Sequence, residues 1–231
     1  MKKLLVILIA ACTMQTAAQD NPKYLNVLAT NGLNMRSKPE TNARIITKVP
    51  FGKRVEVMEK TKAALQLGWI KDHWYRVQFR GREGYIFGGY LSELPAPKTV
   101  DNTTMLPDLL VSYCRSAFST EVKPVSSIEP NKGGDTLYHI LERYHGGIEL
   151  EMEQQGNRRT VKLLLPADVE KSYVLLESLL KTGNKKEMLD QLRFVKGKDD
   201  KLSRISNAEG SIKVRKISDE QTELRLTVYA K

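Results

Sequence analysis

Thiol or imidazole chemistry in this sequence of 231 residues would have to run through Cys12 and Cys114 or through His73, His139 and His145. A cysteine nucleophile needs a thiolate, a histidine base within reach and a third group that orients the base. Leu106, Leu110, Cys114 and Ala117 recur at helical spacing behind Pro107-Asp108, which predicts a helix over 107–118 with the thiol in mid-helix on its apolar face. That is the position of a small packing residue. His139 and His145 stand six residues apart on an expected strand, roughly 20 Å, too far to share an ion, so no metal is expected. Gly133-Gly134 lacks the Lys-Ser/Thr of a phosphate-binding loop, and no other motif asks for a cofactor. Glu149, Glu151 and Glu153 share one strand face, and three like carboxylates on an exposed edge read as solvation rather than an acid–base pair.

The chain that must position these groups is 41% hydrophobic and 28% charged, which excludes collagen-like, disordered and polytopic membrane classes. Its formal net charge of +10 is too modest to mark a dedicated nucleic-acid binder, and export weighs further against that class. Lys2-Lys3 followed by the apolar run 4–11 reads as a secretory leader over residues 1–19, with small residues Thr16-Ala17-Ala18 before the cleavage point. Ile9-Ala10-Ala11-Cys12 offers a second reading as a lipobox that would anchor the protein to a membrane through Cys12. Either way the mature protein works outside the cytoplasm, periplasmic or secreted, without an internal disulfide. Residues 20–95 carry 13 basic and 7 acidic side chains, so most of the mature chain's positive excess sits there. Pro95 and Pro97 fix φ and remove two donors, which makes 96–104 a linker between a first unit over 20–95 and a second over 105–231.

In the first unit, short runs at 25–28, 33–36, 45–49, 54–59, 74–79 and 84–87 alternate and are broken by turn residues, the pattern of a small barrel. Tyr75, Val77 and Phe79 share one face, leaving Trp74, Arg76 and Gln78 on the other. Four segments then follow in order: Gly32-Leu33-Asn34-Met35-Arg36-Ser37-Lys38-Pro39, the stretch 43–57 ending in Arg54-Val55-Glu56-Val57, Trp74-Tyr75-Arg76-Val77, and Gly84-Tyr85-Ile86-Phe87-Gly88-Gly89-Tyr90-Leu91. Over residues 24–94 this order resembles the bacterial SH3 (SH3b) domain. The resemblance implies an SH3-like β-barrel of extracytoplasmic proteins, often found beside cell-wall hydrolases, with peptidoglycan peptides or other wall components as partners. It implies ligand contacts among Asn34, Arg36, Trp69, Trp74, Arg76, Tyr85 and Tyr90, because guanidinium forks hold carboxylates and aromatic rings supply contact area. The stretch 60–73 departs from the family as a longer loop carrying the extra Gly68-Trp69, and an acidic loop of the proline-peptide-binding kind is absent.

The second unit resembles no family. Its pattern is α+β: strands over 137–144, 148–153 and 160–165 joined at Gly146-Gly147 and Gly156-Asn157, and a helix after Pro166 bearing Val169, Tyr173, Leu176 and Leu180 and ending at Gly183. Asn184 with Glu187 predicts the capped start of a further helix through Phe194, and Ile212, Val214, Leu224, Leu226 and Val228 form a last hairpin around 218–221. The whole reads as mainly β plus α+β, with antiparallel strands and two to three helices in the second unit. Wall peptidases with an Asp-Cys-Ser-Gly signature would be natural neighbours of such a barrel, but Tyr113-Cys114-Arg115-Ser116 lacks it. The sequence therefore reads as a non-enzymatic module for a wall component, peptide or protein ligand of the envelope, with a wall peptidase or amidase as the alternative.

Overall fold

The computed structural model describes residues 23–130 and 135–230. The leader, Cys12 and the Gly133-Gly134 pair lie outside the described residues. The chain folds into two antiparallel sheets, as its composition of short alternating runs requires.

The first sheet is built from β1 (Lys23–Val27), β2 (Leu33–Arg36), β3 (Ile45–Val49), β4 (Arg54–Leu67), β5 (Ile70–Phe79), β6 (Arg82–Phe87) and β7 (Leu91–Ser92). Its strands run in the order β3-β2-β6-β5-β4-β1-β7 and curl around Leu25, Val27, Met35, Val49, Val55, Val77, Ile86 and Leu91. Arg80 and Gly81 both take positive φ, which matches the twist of a two-residue hairpin between β5 and β6. The expected loop over 60–73 is instead a hairpin: β4 continues to Leu67 and β5 begins at Ile70, with Gly68 at φ +57° in the turn. Thr61, Ala63 and Leu65 turn inward while Lys60, Lys62, Ala64 and Gln66 face water. Thr61 and Ala63 are too small to mark an inner face, and Ala64 on the outer face blurs the contrast, so the alternation does not announce a strand.

The second sheet follows α1 (Asp108–Ala117) and contains β8 (Val125–Pro130), β9 (Thr136–Tyr144), β10 (Ile148–Gln155), β11 (Arg158–Leu165), β12 (Arg193–Lys196), β13 (Leu202–Ser206), β14 (Ile212–Lys216) and β15 (Thr222–Tyr229). Its order is β12-β13-β14-β15-β11-β10-β9-β8. Helix α2 (Val169–Thr182) lies between β11 and β12 in sequence, and the Asp168 carboxylate caps it by accepting from the Lys171 N–H at 2.7 Å. The further helix expected over 184–194 does not form. Asn184, at φ +55°, instead closes α2: its N–H donates to Lys181 O, and the next N–H, of Lys185, reaches back to Leu180 O at 2.7 Å. This paired bond pattern is the Schellman ending. Only a 3-10 turn over Lys186–Gln191 follows, and Phe194 belongs to β12. Gly183 is needed for space, since a Cβ there would meet a methyl of Leu109 in α1 at 2.6 Å.

The two sheets share one apolar core. Leu28, Ile70, Trp74, Phe87 and Leu94 from the first sheet and its outgoing strand pack with Leu109, Leu110, Tyr113, Leu176, Leu179 and the inner residues of β10, β11, β14 and β15. The segment after β7, expected as an exposed linker, is partly covered: Pro97 is buried and the Tyr113 hydroxyl donates to Pro95 O at 3.0 Å. Polar groups cross the same junction. Lys171 Nζ donates to Asp72 Oδ2 at 2.9 Å, Gly88 O at 2.7 Å and Leu91 O at 3.0 Å, and Ser178 Oγ donates to Leu28 O at 2.5 Å.

Candidate binding surface on the first sheet

Antiparallel register sets three of the sequence-predicted site residues side by side. Arg36 of β2 stands opposite Tyr85 of β6, and Tyr85 stands opposite Arg76 of β5. Adjacent strands are about 4.8 Å apart, so the three residues occupy neighbouring positions across three strands, with Tyr85 half-buried against the shared core. Each guanidinium is held but not used up. Arg36 donates to Ala43 O at 2.7 Å, and Arg76 donates to Glu83 Oε2 at 2.6 Å, while both side chains keep contact with solvent. Asn34 lies two residues before Arg36 on β2, across the buried Met35, and pairs in register with Lys48. A planar fork on either side of a ring suits a carboxylate or an amide-rich chain laid across the row.

The other aromatic candidates point elsewhere. Trp74 is 4% exposed and meets Phe87 edge-to-face at 6.4 Å inside the shared core, so its ring is closed to a solvent-borne ligand. Its strand face is the one expected, but that end of the face is covered by the second sheet. Tyr90 is half-buried at the junction, and burial, with the Glu177 carboxylate beside it, pushes its phenol up to about 12. Trp69, at the tip of the β4–β5 hairpin, stacks on Phe194 of β12 with centroids 4.8 Å apart and planes 11° from parallel; Phe194 in turn meets Tyr173 edge-on. Trp69 remains 44% exposed. Nothing local in the sequence separates Trp74, Phe87 and Leu94, which join the core shared with the second sheet, from Tyr75 and Phe79, which pack against the barrel's own core.

Residues 31–92 match the family model of the bacterial SH3 domain. The matched span runs from just before β2 through β7, leaves β1 and Leu94 outside, and contains all seven of the residues named above. No curated protein matches the chain. The SH3 domain therefore supplies the row Arg36–Tyr85–Arg76 from its own strands, and its Trp74 and Tyr90 are spent on the second sheet.

Outside the SH3 domain, the described cysteine, histidines and strand carboxylates are either buried or paired with an opposite charge. Cys114 is fully buried on α1, and burial first, then the Glu142 carboxylate, drives its thiol far above the usual range. Glu142 itself is held by Arg115 at 2.5 Å and by the Tyr144 hydroxyl. Strand β10 is interior to its sheet, not an edge, and its carboxylates form a ladder of pairs: Glu149 with Arg143 at 3.0 Å, Glu151 with His139 at 2.9 Å and Lys162 at 3.0 Å, Glu153 with Lys162 at 2.6 Å. His145 lies 3.7 Å from Glu121 on the surface. Among the described residues no three of His, Cys, Asp and Glu are grouped to hold a metal ion. Cys114→Ser should cost about 1–3 kcal/mol, the penalty for a hydroxyl in an apolar site, and leave ligand binding unchanged. Thermal melts with a binding assay check this, and loss of function in a variant that still folds would give the thiol a chemical role.

Proposed function

We propose that this protein is a non-enzymatic binding protein of the bacterial envelope whose SH3 domain holds a cell-wall peptide or a similar acidic ligand. The observation that carries the reading is the in-register row Arg36–Tyr85–Arg76 on the SH3 domain, with Asn34 beside it. Two guanidinium groups give carboxylates paired, charge-assisted hydrogen bonds, and the ring between them offers a flat apolar surface. The leader-like start, Lys2-Lys3 with the run 4–11, supports a site of action outside the cytoplasm. The buried, protonated thiol of Cys114 supports binding rather than nucleophilic catalysis.

Binding of this kind depends on surface charge. The mature chain should co-sediment with purified peptidoglycan at low salt and progressively less as ionic strength shortens the screening length to about 8 Å and below. Retention in the supernatant at every salt concentration would contradict the proposal.

A further inference from the structure

The outer face of the second sheet, opposite α1 and α2, carries cations on five consecutive strands, among them Arg193 of β12, Arg204 of β13, Lys213 and Arg215 of β14, Arg225 of β15 and Lys162 of β11. The parity of each strand puts them there, because Ile205, Val214, Leu224 and Leu163 between them are buried on the helix side. Register makes the arrangement unfavourable to the fold. Arg204 stands directly opposite Arg215, Lys213 opposite Arg225, and Arg225 opposite Lys162. Like charges in directly opposed positions destabilise a sheet.

Local acids relieve only part of this. Glu223 is shared by Arg215 and Arg225, each at 2.9 Å, and Lys162 is met by Glu151 and Glu153. Among the described residues no carboxylate lies within 4 Å of Arg193, Arg204 or Lys213. One row, Arg193–Ser206–Lys213–Arg225–Lys162, crosses the strands in a line of about 19 Å, with a cation at nearly every 4.8 Å step. The line contains no aromatic ring on which a base or sugar could stack, so charge and hydrogen bonding are its means of grip.

We infer that this face binds an extended polyanion whose charges are phosphates. A chain of phosphates presents tetrahedral, divergent oxygens at every unit, so it can do along the whole row what the single Glu223 carboxylate does for Arg215 and Arg225, bridging cations on neighbouring strands. The repulsion built into Arg204–Arg215 and Lys213–Arg225 is relieved when a phosphate sits between each pair. The inference stands apart from the SH3-domain ligand, because the two surfaces share no residue.

The test uses the mature chain, with inorganic polyphosphate as probe and poly-glutamate as the carboxylate control. Arg204→Glu/Lys213→Glu should weaken polyphosphate binding at least about tenfold. It should also raise the melting temperature, since each glutamate now faces an arginine; Arg204→Gln/Lys213→Gln should weaken binding without adding a new ion pair. Arg36→Ala/Arg76→Ala should leave polyphosphate binding unchanged. Undiminished polyphosphate binding by both charge variants, or poly-glutamate bound as tightly as polyphosphate, overturns the inference.

Discussion

Trp74→Ala is expected to destabilise the whole chain by about 3–5 kcal/mol, the usual cost of deleting a large buried aromatic side chain. Its ring contacts Phe87 and lies in the core that Leu28, Leu94, Tyr113, Leu176 and Leu179 also line, so the cavity opens between the two sheets and not within one. Both halves should lose stability together. Urea denaturation followed by near-ultraviolet and far-ultraviolet signals should therefore give coincident transitions, displaced to lower denaturant with little change in slope. Two separated transitions, with only the barrel signal displaced, would mean that the shared core is not cooperative. The same contact makes an isolated SH3 domain a poor reagent, since cutting after residue 95 would expose Trp74, Phe87 and Leu94.

Lys171→Met should cost about 2–4 kcal/mol at neutral pH, because it leaves Asp72 and two carbonyls at the sheet junction without their donor. The Asp72 side chain is 12% exposed and that of Lys171 28%. Burial alone would raise the Asp72 carboxyl, but the Lys171 charge and hydrogen bond, with the His73 N–H, hold it below its ordinary value. A depressed carboxylate contributes stability that is complete above its unfolded value of about 3.9 and is lost as pH falls through the lower folded value. The gap between wild type and variant should therefore be widest near pH 7 and shrink below about pH 4. A gap that stays constant from pH 7 to pH 3 would show that Lys171 acts through packing of its stem and not through the ion pair.

How far the sequence alone led depended on whether the deciding contact was local. Strands with an apolar inner face and a turn residue at each end, such as β2, β6 and β11, were legible in residue alternation, as was α2 between Pro166 and Gly183; its Asp168 cap emerged only in the structure. The β4–β5 extension was not, because Thr61 and Ala63 are too small to mark an inner face. Strand β8, Val-Ser-Ser-Ile-Glu-Pro, has almost no buried residue and forms by pairing with β9. Asn184 carried a true signal that pointed the wrong way along the chain: a residue suited to start a helix is equally suited, at positive φ, to end one. Arg76 could be placed by parity on the face opposite Tyr75, Val77 and Phe79, and its alignment with Tyr85 and Arg36 followed from the tight Arg80-Gly81 hairpin and the β2–β6 pairing. Trp74 shares the parity of Arg76, and only the second sheet, far away in sequence, decides that one is covered and the other open.

Grip of the ligand by Arg36, Tyr85 and Arg76 of the SH3 domain is measured most directly by co-sedimentation of mature chains with purified peptidoglycan stripped of phosphate polymers. The double variant Arg36→Ala/Arg76→Ala, which removes one part-buried bond to Ala43 O and one exposed ion pair with Glu83, should keep its melting temperature within a few degrees and lose at least about tenfold in affinity, or roughly 1.4 kcal/mol. Arg204→Glu/Lys213→Glu should sediment like wild type. If the Arg36→Ala/Arg76→Ala chain binds the stripped wall as tightly as wild type, the row across β2, β6 and β5 is not the site.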